Sequence, residues 1–99
     1  MTGGTYKSVI FVPVNDAVVP VDAMITLILD ATLSCISMTI KGSYSRFNNN
    51  SKAVDKAFLE ICDEMLFAIA ISFAEEFELE DLSVTFEASL SDEHKFSPN

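Results

Sequence analysis

The sequence predicts an α+β fold: a single two-layer domain in which one long helix covers a mainly antiparallel sheet of three or four strands. Three observations carry that expectation. Apolar and β-branched segments crowd the first 41 residues, a stretch free of glycine and proline fills residues 52–77, and apolar and polar residues alternate through residues 82–90. With 99 residues, the chain has material for one core and not for two. The order β-β-β-α-β then has a natural solution, one sheet face buried under one helix.

Residues 6–14 contain Val9-Ile10-Phe11-Val12 and run into Pro13 and Asn15-Asp16, a strand followed by a turn. Residues 17–20 read as a connector with at most a short edge pairing. The next segment has two readings. Asp22 is placed to cap a helix through residue 33, which would give a ferredoxin-like β-α-β-α-β order, but Ile25-Thr26-Leu27-Ile28-Leu29 is rich in β-branched residues and favours a strand over 23–30. A further strand is expected over 33–41, where Ser34, Ser37 and Thr39 interleave with apolar residues, and Gly42-Ser43 and Asn48-Asn49-Asn50 mark a polar connection. Asn50 or Ser51 suits a helix N-cap, with Asp55 in the first turn. The helix is expected over residues 52–77, and the last strand, over 82–90, should keep one wet face. Residues 1–5 and 91–99 read as flexible tails of a domain that spans 1–99.

The charge is unevenly spread. The net charge is −9, yet Asp16, Asp22 and Asp30 are balanced by Lys7, Lys41 and Arg46, so the whole excess lies beyond residue 50. A field of that sign repels nucleic-acid phosphates and anionic lipid and attracts basic protein surfaces. Direct nucleic-acid or membrane binding is therefore not expected. No basic stretch followed by an apolar run and a small-residue cleavage site opens the sequence, and the longest apolar run, residues 65–71, is far too short to span a bilayer, so a soluble cytoplasmic protein is expected. Cys35 and Cys62 sit in apolar segments with no neighbouring His or Cys and read as reduced core thiols.

The usual residue constellations of an enzyme are missing. The only histidine, His94, stands in the expected tail, and glycines at 3, 4 and 42 form no phosphate loop. Zinc and calcium signatures are absent, so no metal and no cofactor is expected. Asp30 is the one carboxylate embedded in an apolar run; a buried catalytic acid is its less favoured role and a turn residue its more favoured one.

Two features of the helix point instead to a binding surface. Glu75, Glu76, Glu78, Glu80 and Asp81 crowd its C-terminal end, where the helix dipole disfavours negative charge by roughly 0.3–1 kcal/mol each at low salt. On a helical wheel Lys52, Lys56, Glu60, Asp63, Glu64 and Glu75 lie on one polar face with Phe67 and Ile71 in its middle, an apolar centre with a charged rim. The eight carboxylates named here, with Phe67 and Ile71, are the candidate partner-binding set. The alternative is that residues 65–71 are buried all round, under a loop or against a second copy of the chain. The expected function is a non-enzymatic acidic inhibitor that occupies a basic surface of a target protein, with a nucleic-acid-binding protein as one such target. Immunity-like, antitoxin-like and phage anti-defence proteins share this character by charge and size alone. A homodimeric structural or assembly subunit is the alternative, and a small enzyme built on Asp30 comes third.

Overall fold

The structure, a computed structural model, describes residues 2–45 and 51–92. Four strands and one helix follow the expected order: β1 (Thr2–Val14), β2 (Ala17–Asp30), β3 (Cys35–Tyr44), α1 (Ser51–Glu76) and β4 (Ser83–Asp92). The strands form one sheet in the order β1-β2-β3-β4. β1 with β2 and β2 with β3 pair antiparallel, while β3 and β4 run parallel. Parallel neighbours need a crossover rather than a hairpin, and α1 supplies it.

β1 and β2 form a long hairpin, in register from Thr2 opposite Leu29 to Val14 opposite Ala17. Its two-residue loop, Asn15-Asp16, needs left-handed backbone to match the strand twist, and Asn15 supplies it at φ 56°. The strand reading of residues 23–30 holds, and the helical alternative falls. Residues 17–20, expected as a connector, belong to β2. Val19, Val21 and Ala23 alternate into the core there, and the pairing of β2 with β3 begins only at Asp22. At Pro20, therefore, β2 has a neighbour on one side alone among the described residues, and a proline is tolerated there. β1 likewise starts at Thr2, four residues before the expected onset, with Gly3 and Gly4 opposite Ile28 and Leu27.

β3 starts two residues later than expected because residues 31–34 form a turn. Asp30 Oδ1 accepts the Leu33 N–H at 3.1 Å, the Ser34 N–H donates to the Ala31 carbonyl at 3.3 Å, and Ser34 adopts φ 50°. Asp30 thus takes its turn role. β3 then continues through Gly42-Ser43, which the sequence suggested as a connection. A Cβ at Gly42 would stand 2.8 Å from Val21 Cγ1 and 3.0 Å from both Leu90 Cδ1 and Phe58 Cζ. This glycine serves the close approach of the helix to the sheet, not a turn.

The pleat sorts residues cleanly. Val12, Val21, Met38 and Ile40 face α1 and cluster with Val54, Phe58 and Cys62, all fully buried. Among the described residues, the opposite sheet face carries no helix. α1 begins and ends one residue before the expected limits; Ser51 opens it, Asn50 lies outside the described residues, and Asp55 falls just past the first turn. The far end closes in a Schellman arrangement: the Glu78 N–H donates to the Glu75 carbonyl at 3.4 Å and the Leu79 N–H to the Ala74 carbonyl at 2.9 Å, with Glu78 at φ 53°. Glycine normally fills that left-handed position, since a Cβ there costs about 1–2 kcal/mol. Glu78→Gly is accordingly expected to raise stability by about 1 kcal/mol in urea unfolding, and Glu78→Val to lower it.

Candidate functional site

All ten expected site residues are exposed. Glu60, Glu64, Phe67, Ile71 and Glu75 recur every three or four residues along the side of α1 opposite Val54, Phe58, Cys62 and Phe73. Phe67 is 67% exposed and Ile71 43%, so within this chain residues 65–71 are not buried all round. The second half of the helix is broad and apolar because its inner side packs on the sheet while its outer side keeps these two residues.

The fold adds a neighbour that sequence reasoning missed. β4 lies beside β3 at the rim of the sheet, and Val84, 43% exposed, stands against the helix flank. With Leu66, Phe67 and Ala70 it lines a shallow groove of about 500 Å³, which Asp63 and Glu64 border. The alternation of residues 82–90 announced a half-buried strand but carried no sign that its first inward residue would fall outside the helix cover.

The acidic run divides between two elements. Glu75 and Glu76 belong to the last turn of α1, which holds no basic residue, and Glu78, Glu80 and Asp81 lie in the link to β4. Phe77 is half exposed among them, its ring tilted against Phe73 at a centroid distance of 5.1 Å. At 1.5 Å per residue Glu75 lies roughly 12 Å along the helix from Phe67, so groove and acidic end make one continuous surface. The arrangement is an apolar groove with a negative rim.

The uncovered sheet face is a second feature that the sequence did not disclose. Val9, Phe11, Val18, Met24 and Ile28 are exposed there, Phe11 by 65%. Lys7, Val9, Asp22, Met24, Lys41 and Ser43 line a shallow concavity of about 600 Å³ on it. The pattern of β1, with Lys7, Val9 and Phe11 on one parity and Ile10, Val12 and Val14 on the other, is the signal that both faces carry apolar residues.

The two thiols part company. Cys62 is fully buried in the core, whereas Cys35 is half-buried on the uncovered sheet face, because the even residues of β3 take the helix side. Burial first, and the neighbouring Asp63 carboxylate second, push the Cys62 thiol up to about 11 from 9.0. Native Cys62 is expected to resist thiol reagents at neutral pH until the protein unfolds, with Cys35 labelling sooner. A thiol held protonated by the fold stabilises it below about pH 9, and that contribution is lost as pH rises towards 11. Cys62→Ala should therefore show a shallower alkaline fall in stability between those values than the unsubstituted protein.

Among the described residues, no three His, Cys, Asp or Glu side chains are grouped so as to hold a metal ion, and no helix is long and apolar enough to cross a membrane. His94 and Glu93 lie outside the described residues. Compared with protein-family models, with curated proteins and with solved structures, the chain matches none.

Proposed function

We propose that this protein is a cytoplasmic, non-enzymatic inhibitor that binds a basic surface of another protein, in the manner of immunity-like, antitoxin-like or phage anti-defence proteins. The observation that carries the reading is the acidic end of α1. Five exposed carboxylates, among them a Glu78 held in left-handed backbone, stand at and just beyond the helix end that the dipole makes unfavourable for them, roughly 12 Å along the helix from an exposed Phe67. The fold gains nothing from that charge, and a basic partner would gain encounter rate from it. A nucleic-acid-binding target fits best, because its basic surface is already shaped for a negative ligand. The test is a salt series on the complex that co-purifies from native cells. Association should slow steeply as ionic strength rises past about 0.15 M, where the Debye length is about 8 Å. Association indifferent to salt would remove the proposal.

A second reading is a homodimeric assembly subunit, and the uncovered Val9, Phe11, Val18 and Met24 favour it together with Phe67 and Ile71. It predicts a salt-insensitive dimer. If the helix face forms the contact, Ile71→Glu should yield a monomer with an unchanged circular-dichroism spectrum, and sedimentation of the unsubstituted protein as a clean monomer at high concentration would dispose of this reading.

A further inference from the structure

We propose that the outer edge of β4 and the groove beside it take up an extended, basic segment of the partner as a fifth strand of the sheet. This deepens the reading of an acidic binder and rests on it. Ser83 donates its N–H to the Ser34 carbonyl at 2.9 Å, so Ser83 turns its backbone groups towards β3. Backbone direction alternates along a strand, which turns the N–H and C=O groups of Val84, Phe86, Ala88 and Leu90 outwards. Among the described residues no strand pairs with that side of β4. A sheet edge of this kind is a ready template for another chain, and proteins usually blunt it with proline, lysine or a bulge. β4, with the sequence SVTFEASLSD, has neither proline nor lysine, whereas the opposite edge strand β1 carries both Lys7 and Pro13.

The side chains of the same four residues face the helix side, and the helix flank leaves Val84 43% exposed. A strand laid along β4 would send alternate side chains into the groove between Val84 and Phe67, under Asp63 and Glu64. Its remaining side chains would lie on the other face beside Thr85, Ser89 and the exposed Glu87. Backbone pairing supplies affinity in such additions, and alternate side-chain positions supply specificity. Charge chooses the occupant. A second copy of this chain would bring acidic rim towards acidic rim, while a segment alternating apolar residues with lysine or arginine lays its apolar side chains in the groove and all its cations on the other face, beside Glu87.

The test uses the whole protein and two ten-residue peptides, one alternating valine and lysine, the other of the same composition with all valines before all lysines. The alternating peptide should bind at least tenfold more tightly at low salt and should slow amide exchange at Val84, Phe86, Ala88 and Leu90. Val84→Pro removes an outward donor that the fold does not use, and should weaken that binding by about fivefold to tenfold. Phe67→Ala, which shrinks the groove and leaves the strand untouched, should weaken it as well, so a fold lost in the proline variant would not silence the test. Equal, salt-sensitive binding of both peptides without exchange protection would overturn strand addition and leave the acidic reading standing. Binding of neither peptide at low salt would overturn both. Protection of the same four amides in concentrated protein alone would show the edge taken by a second copy, and would also overturn the inference.

Discussion

Phe58→Ala is expected to destabilise the protein by about 3–5 kcal/mol, a large part of the 5–15 kcal/mol that holds a domain of this size together. Phe58 is fully buried and its ring reaches across the sheet to the site of Gly42, where Cζ would stand 3.0 Å from an added Cβ. Truncation would open a cavity between helix and sheet that the β-branched neighbours, with their stiff side chains, are poorly able to fill. Gly42→Ala is expected to cost about 1–3 kcal/mol by the opposite route, since Val21 Cγ1 at 2.8 Å must give way. Because both substitutions act on one space, their sum should overshoot: the double variant should be more stable than additivity allows by at least about 0.5 kcal/mol. Urea unfolding of the four proteins measures the coupling, and strict additivity would show that Phe58 and Gly42 do not share that space.

Reversing Glu75, Glu76, Glu78 and Glu80 to lysine should separate binding from folding. Complementary charge acts chiefly on the rate of encounter, and removing four negative charges while adding four positive ones should slow association with a basic partner by at least about tenfold at low salt. The isolated protein should be at least as stable as before. All four positions are exposed, positive charge near a helix C-terminus favours the dipole, and net charge moves towards zero. Function lost with stability held is what a surface retained for binding predicts. Full cellular activity in the reversed protein, with only its solubility reduced, would mean that the carboxylates serve solvation, and the inhibitor reading would lose its main support.

The helix and β4 were legible to within one or two residues because a long run without glycine or proline and a strict alternation each have one period. Residues 17–20 were not, since Pro20 ordinarily breaks a strand and only the stagger of β2 past β3 makes it harmless. Gly42 misled for a related reason. Sequence shows a glycine but not whether it frees the backbone or makes room for a ring from another element. Of the site, the outward helix face and the acidic run followed from helical periodicity and counting. Val84 did not, because the parallel placement of β4 beside β3 is a matter of topology, nor did the apolar residues of the uncovered sheet face, where a polar surface is the ordinary expectation.

The topology also bears on how the chain is made. β1 pairs with β2 and β2 with β3 as consecutive hairpins, so a three-stranded meander can form as soon as residue 44 has left the ribosome. At that moment its helix-side face is bare, and the charges of the first fifty residues balance to zero, which leaves little repulsion between nascent chains. Helix and negative charge then arrive together, from the same stretch of message. Slowing translation beyond residue 44 should therefore lower the yield of soluble protein, and a solubilising fusion placed ahead of Thr2 should restore it.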